Sequence, residues 1–246
     1  MENKYLCRVC NQNSLSPISV SIRGAIRALI DNSYTVWKCV HCESLNALEK
    51  VDYENIYLTY PYQKQKYDFF TKKIFKKRLN NLIKAGLMAS NTILDYGCGS
   101  GLFVKFLQEH SYQSAGYEPF NAPFSDPETL LKKYDFVISQ DVIEHVDNPH
   151  QLLEKLRLLV NEKGKLIIGT PFSDNVNLFN RIDQIGALHQ PFHRFLIAKN
   201  QIKNVFEISD WRVDKVIEGS YADTWFPFIN RKFLFNLFKC LSKKNF

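Results

Sequence analysis

The stretch Thr92-Ile93-Leu94-Asp95-Tyr96-Gly97-Cys98-Gly99-Ser100-Gly101 constrains this chain more than any other. A short apolar run with β-branched residues passes at once into glycines at alternate positions. Leu102-Phe103-Val104-Lys105-Phe106-Leu107 then follows with a helical apolar rhythm. The order reads as strand, glycine turn, helix. Glycines in such a turn reach positive φ and let a ligand approach backbone amides at the helix start. The spacing is GxGxG, with Leu102 where the dinucleotide fingerprint needs glycine, which disfavours a nicotinamide cofactor.

Downstream, Gly116-Tyr117-Glu118 closes a second short strand and puts an acceptor-only carboxylate where a doubly wound sheet meets the ribose of a nucleoside. Tyr134-Asp135-Phe136-Val137-Ile138-Ser139 is a buried-type strand running into Gln140-Asp141-Val142-Ile143-Glu144-His145. Pro149 suits the first position of a helix after a polar cap, and Leu152, Leu153, Leu156, Leu159 and Val160 give that helix its buried stripe. Gly164 to Pro171 reads as a further strand, and Trp211 to Ile217 as a sixth. Asp95 through Gly101 with Glu118, and the Glu144-His145 pair after the fourth strand, resemble the motifs of the class I S-adenosylmethionine-dependent methyltransferases, over about residues 65–220.

The resemblance implies an α/β, Rossmann-like fold with a mostly parallel, doubly wound sheet, and S-adenosylmethionine as cofactor. Its implied contacts are Asp95, Tyr96, Gly97, Cys98, Gly99, Gly101, Glu118, Gln140 and Asp141. Two departures stand out. Only sixteen residues separate Glu118 from Asp135, where the family fits a helix, a third strand and an acidic adenine contact; Asp126 is the nearest candidate. The tail Phe226 to Phe246 reads as helical or irregular, so the final antiparallel strand is expected to be missing.

Methyl transfer from a sulfonium is an in-line displacement, so the protein aligns donor and acceptor and, for some acceptors, removes a proton. The candidate bases are His145, His189 and His193, the last two in Leu188-His189-Gln190-Pro191-Phe192-His193. His145 reads equally well as a scaffold residue at a strand end. His189 and His193 could also share a metal, although the further ligands of a zinc hydrolase are not identifiable. Tyr57, Tyr60 and Tyr62 read either as a lid over the cofactor or as packing.

Cys7-Arg8-Val9-Cys10 and Cys39-Val40-His41-Cys42 each present two thiolates to one ion, and four soft ligands imply tetrahedral, structural zinc with no open position. His41 is then a bystander. The paired spacing suits a reducing compartment better than a disulfide framework. Between this module and the glycine turn, Gln63 to Ala85 reads as an amphipathic helix. Its stripe is Tyr67, Phe70, Ile74, Leu79, Leu82 and Ile83, and Lys72, Lys73, Lys76, Lys77 and Arg78 form a basic face.

The expected organisation is a zinc-ribbon-like module at 1–50, a linker and helix at 51–88, a cofactor-binding domain at 89–220 and an aromatic, basic extension at 221–246. A chain of 246 residues with 45% hydrophobic and 23% charged residues matches an ordinary globule. No apolar run of about 18 residues and no leader-like start is present, so a cytoplasmic enzyme is expected. Net charge +7 favours phosphate-bearing partners. With the zinc module ahead of this fold the chain resembles bacterial small-molecule methyltransferases, which implies a nucleotide-linked or other sugar, or a secondary metabolite, as the first reading of the acceptor. RNA is the second, without the Asn/Asp-Pro-Pro-aromatic motif of many base-methylating enzymes, and a non-catalytic cofactor-binding scaffold is the third. Peripheral membrane contact through the basic helix or the tail stays open.

Overall fold

The structure, a computed structural model, describes residues 4–58, 65–207 and 210–218. In chain order the elements are β1 (Ser19–Arg23), β2 (Ser33–Lys38), β3 (Leu45–Ala47), α1 (Tyr53–Leu58), α2 (Phe69–Lys84), β4 (Thr92–Tyr96), α3 (Leu102–Glu109), β5 (Gln113–Tyr117), β6 (Tyr134–Gln140), α4 (Pro149–Leu158), β7 (Val160–Gly169), α5 (Arg181–Ile185), β8 (Phe195–Leu196) and α6 (Ile202–Phe206). They fall into two compact units. One draws on residues 1–59, 141–155 and 169–217, the other on 60–140, 156–168 and 218–246.

The second unit carries the Rossmann-like sheet, in the order β5-β4-β6-β7. Thr92 to Tyr96 run parallel to Gln113 to Tyr117 on one side, and Ile93, Leu94 and Asp95 pair in parallel with Phe136, Val137 and Ile138 on the other. Strands with apolar side chains on both faces need cover on both. Ile93, Phe136 and Ile138 pack with Phe103, Phe106 and Leu107 of α3 and with Phe75, Leu79 and Leu82 of α2.

Local chemistry moves some boundaries from their sequence positions. The helix expected from Gln63 starts at Phe69, because Asp68 caps it by accepting the Thr71 N–H at 2.9 Å. Its buried face is Thr71, Phe75, Leu79 and Leu82, whereas Phe70 and Ile83 are exposed. Arg78 leaves the basic face altogether. Its guanidinium lies over the Phe103 ring and pairs with buried Asp95 at 3.1 Å. The strand expected from Gly164 already starts at Val160, where Asn161 donates to Asp135 at 2.8 Å. That carboxylate also accepts from the Thr92 N–H and hydroxyl, and the Thr92 backbone bond, with those from Asn161 and the hydroxyl, holds it below the usual aspartate range.

Pro149 opens α4 as expected, with Asn148 accepting the Gln151 N–H, and all five apolar residues of the stripe from Leu152 to Val160 are buried. Residues 211–217 form no strand, and Val216 and Ile217 are about half exposed. The tail from Phe226, with Cys240, lies outside the described residues, as do Tyr60 and Tyr62. Among the described residues, no helix is long and apolar enough to cross a membrane.

The first unit is built on an antiparallel sheet, β1-β2-β3-β8. β8 contributes only Phe195 and Leu196, paired with Asn46 and Leu45. Ile22, Val36, Leu45, Leu178, Leu188 and Leu196 form its core.

Beside β8 the side chain of Arg194 is 0% exposed. Its Nε donates to Asp147 at 3.1 Å, and its terminal nitrogens donate to the Glu49 and Pro191 carbonyls. Arg8 reaches the same Asp147 oxygen at 2.9 Å, and Tyr53 donates to the other at 2.9 Å. Burial raises the Asp147 carboxyl, but the Arg194 and Arg8 charges outweigh it and hold the group below the usual range. A guanidinium without water is tolerated only when its donors are matched. Arg194→Leu is therefore expected to cost about 2–4 kcal/mol by stranding buried carbonyls and half of the Asp147 pairing. Urea unfolding checks this; a change within about 0.5 kcal/mol, the usual effect at an indifferent surface position, contradicts it.

Candidate functional site

Chain order in the parallel sheet reverses beside β4. β5 lies on one side and β6 on the other, and such switch points open a crevice at the carboxyl ends of the strands. The glycine turn leaves β4 at that end. Gly97, Gly99 and Gly101 have φ of 81°, 54° and 72°, the left-handed region in which a side chain is strained. The Gly97 N–H donates to the Tyr117 carbonyl at 2.7 Å, which pins the turn to the end of β5.

Glu118 follows immediately and is only 6% exposed. One carboxylate oxygen accepts the Gly99 N–H at 3.2 Å and the other the Phe120 N–H at 3.3 Å. The expected ribose ligand thus also braces the turn. Asp95, by contrast, spends its carboxylate on Arg78. Tyr96 is buried, its phenol pushed upward by burial and the Glu118 charge, and its ring lies 5.3 Å from that of Tyr117. Burial, with the Asp95 and Glu118 charges, raises the Cys98 thiol far above its ordinary value, so it is a packing group rather than a nucleophile. Its sulfur needs Gly116, where a Cβ would come within 2.7 Å.

The short segment after Glu118 contains no strand. It folds as 3-10 turns at Ala122–Phe124 and Pro127–Leu131. Phe124 lies against Gly101 so closely that a Cβ there would collide with its ring, and Asn121 donates to the Gly99 carbonyl at 2.7 Å. Neither residue was legible as a site residue, because nothing in spacing ties a residue twenty positions away to the turn. Asp126 is exposed and accepts the Glu128 N–H at 3.0 Å as a cap. Gln140 ends β6, partly buried.

In the first unit, Asp141 takes φ of 53° and donates its N–H to the Gly169 carbonyl, and Ile143–His145 forms a 3-10 turn. His145 and His193 meet edge to face with centroids 4.8 Å apart, and His189 lies 5.4 Å from His193. The three histidines nominated from sequence therefore form one group. Tyr57, read as lid or packing, is bonded through its hydroxyl to His145 Nδ1 at 2.9 Å. Burial, reinforced by the neighbouring imidazoles, holds His145 well below the ordinary histidine value, and burial pushes His193 down to about 4. Glu144 joins this group, fully buried, with Thr170 donating to it at 3.1 Å. Its signal was the Glu-His adjacency after β6, visible in sequence but not weighed as a ligand.

The four cysteines converge. Cys7 and Cys42 sulfurs are 3.6 Å apart, and Cys10 and Cys39 sulfurs 3.7 Å. Four sulfurs held at about 2.3 Å around a tetrahedral zinc stand about 3.8 Å apart, so the set fits the ion. Asn46 and Ser14 donate to Cys7 and Cys39 sulfurs, respectively. His41 bonds to the Asn13 carbonyl instead of joining the cluster.

Residues 62–238 match a family described as "Methyltransferase domain". Curated relatives include the malonyl-[acyl-carrier protein] O-methyltransferases of Calditerrivibrio nitroreducens, 25% identical over 139 residues (50% of this chain, 56% of that protein), and of Anoxybacillus flavithermus, 29% identical over 124 residues (42% and 48%). The chain spans about half the length of these curated relatives. A SAM-dependent methyltransferase from Archaeoglobus fulgidus is similar in structure with TM-score 0.41 and 24% identity, covering 55% of this chain and 67% of that one. The 1,6-didemethyltoxoflavin-N1-methyltransferase of Burkholderia thailandensis gives TM-score 0.47 and 13% identity, covering 72% and 84%. Because the family match takes in more than half of the sequence, together with the glycine turn and the parallel sheet, this chain belongs to the methyltransferase-domain family, in its Rossmann-like, class I form.

Proposed function

We propose that the protein is an S-adenosylmethionine-dependent methyltransferase acting on a small-molecule acceptor, with the cofactor held by the Asp95 to Gly101 turn, Glu118, and Gln140 at the end of β6. The observation that carries this reading is the buried Glu118 carboxylate bonded into a positive-φ glycine turn at the switch point of a parallel sheet. A carboxylate has about four lone-pair positions, so Glu118 can hold its two amides and still accept both ribose hydroxyls. Bound S-adenosylmethionine supplies an electrophilic methyl group. The chain's part is to fix that methyl in line with the acceptor and to take up a proton where the acceptor carries one.

His145, His189 and His193 are the proton-handling groups in this proposal. They follow β6 and β7 in the chain, and burial keeps His145 and His193 neutral, the form that accepts a proton. A small, oxygen-bearing acceptor is supported by the O-methyltransferase names of the curated relatives. Net charge +7 supports a phosphate on it, as in a nucleotide-linked sugar. Incubation of nucleotide sugars and bulk RNA with protein and labelled cofactor tests the acceptor class; label in RNA alone overturns the small-molecule reading.

The cofactor site makes its own prediction. Glu118→Ala removes one or two charge-assisted hydrogen bonds worth about 1.5–3 kcal/mol each, so S-adenosylhomocysteine should bind at least about tenfold more weakly by calorimetry, with no NAD binding in either protein. Unchanged affinity would remove Glu118 from the site.

On the acceptor side, alanine variants of the histidine that serves as base should keep cofactor affinity yet lose about 10²–10⁴ in rate. The acid limb of the wild-type pH profile should lie below the ordinary histidine range, because both imidazoles stay neutral there. Normal turnover in all three variants would indicate an acceptor that needs no deprotonation.

Zinc is proposed for the cysteine set. Metal analysis of purified protein should find it there at one ion per chain, lost in Cys39→Ser with destabilisation of the first unit. A cysteine variant that keeps both metal and stability would contradict the assignment.

A further inference from the structure

A second set of metal-competent side chains stands apart from the cysteines: Glu144, His145 and His193, whose ligand atoms lie within 4.8 Å of one another. Two imidazoles and a carboxylate are borderline donors, suited to a divalent first-row transition ion and poorly suited to calcium or magnesium. We propose that Glu144, His145 and His193 form a second metal site, for a divalent transition ion such as Zn²⁺ or Co²⁺, with at least one coordination position left to a water or acceptor oxygen.

The bonds around the three side chains carry the assignment. His193 Nδ1 lies 2.6 Å from the Ala187 carbonyl, which can only accept, so the proton is on Nδ1 and Nε2 presents a lone pair. His145 uses Nδ1 toward the Tyr57 hydroxyl, and with Nδ1–H donating there its Nε2 is the ligand. Glu144 is oriented by the Thr170 hydroxyl. Each ligand therefore has an outer partner of the kind that fixes metal ligands. The two segments that bear them are joined by the Arg194 N–H donating to the Glu144 carbonyl at 2.6 Å. Ligands at about 2.0–2.2 Å from an ion stand about 3.3–3.6 Å apart, so the cluster, whose ligand atoms lie within 4.8 Å of one another, has to contract to close on an ion.

The contrast with the cysteine site is one of chemistry. Four sulfurs close a tetrahedron, whereas three protein ligands leave an open position. A histidine that ligates an ion is no longer a free base, so in the metal-loaded protein the proton-handling role proposed above falls to His189 alone. The inference does not depend on the acceptor proposed above.

Full-length protein loaded with a single equivalent of zinc, which the four thiolates take first, is titrated with Co²⁺ and followed by calorimetry and absorption. One further equivalent should bind, with d–d bands and no thiolate-to-cobalt charge-transfer band. Glu144→Gln and His193→Ala should each weaken binding at least about tenfold. His189→Asn should retain it, since His189 supplies none of the three ligand atoms and asparagine tolerates its φ of 29°. Should the first two variants unfold by circular dichroism, Tyr57→Phe removes only the outer partner of His145 and should weaken cobalt by about 10–100-fold. The proposal is overturned by the absence of a further equivalent, by a signal carrying the thiolate band alone, or by unchanged affinity in the folded variants. S-adenosylhomocysteine binding is measured on the same samples. Its loss with cobalt binding intact would strike the methyltransferase reading and leave the metal site standing.

Discussion

A guanidinium sealed from water sets the terms for the first unit. With its side chain 0% exposed, Arg194 turns Nε to Asp147 and its terminal nitrogens to the Glu49 and Pro191 carbonyls. Those bonds bring together pieces far apart in sequence: the end of the cysteine ribbon, the turn after His145 and the histidine segment. The backbone follows the side chain. The Arg194 N–H bonds to Glu144, the Arg194 carbonyl accepts from Ala47, and β8 pairs with β3. The positions of His193 and Glu144 are consequences of how one buried charge is satisfied.

The second unit depends on close approach instead of charge. Gly101 accepts the Phe124 ring and Gly116 accepts the Cys98 sulfur, so the turn, β5 and the shortened segment after Glu118 interlock without room for a Cβ. Rigidity here has a chemical use. A turn already held in its shape costs little reorganisation when a ligand arrives. The missing third strand is replaced by a ring and an amide side chain, Phe124 and Asn121, pressed on the same glycines.

Two metal-competent clusters in one unit remain chemically separable. The sulfur set is soft and offers four ligands, while the imidazole and carboxylate set is harder and offers three. Burial acts on the second by keeping its imidazoles uncharged, which removes repulsion between rings whose centroids are 4.8 Å apart.

Periodicity and spacing made the parallel strands, the glycine turn, the helix from Pro149 and the cysteine tetrad legible, because each is written in residues close in sequence or in the repeated CxxC. The histidines and Glu118 could be nominated for the same reason. What the sequence could not show was which side chains long-range packing would consume. Arg78, counted with a solvated basic face, turned inward to Asp95, and Asp95 was thereby taken up by an ion pair. The stretch at 211–217, read as a sixth strand, pairs with no strand among the described residues, while the two residues Phe195 and Leu196, too short for any periodic signal, became one by pairing with β3. Local propensity fixes the elements through nearby bonds; pairing, burial of charge and the convergence of Glu144 with His145 and His193 are settled only when distant segments compete for the same acceptors and the same space.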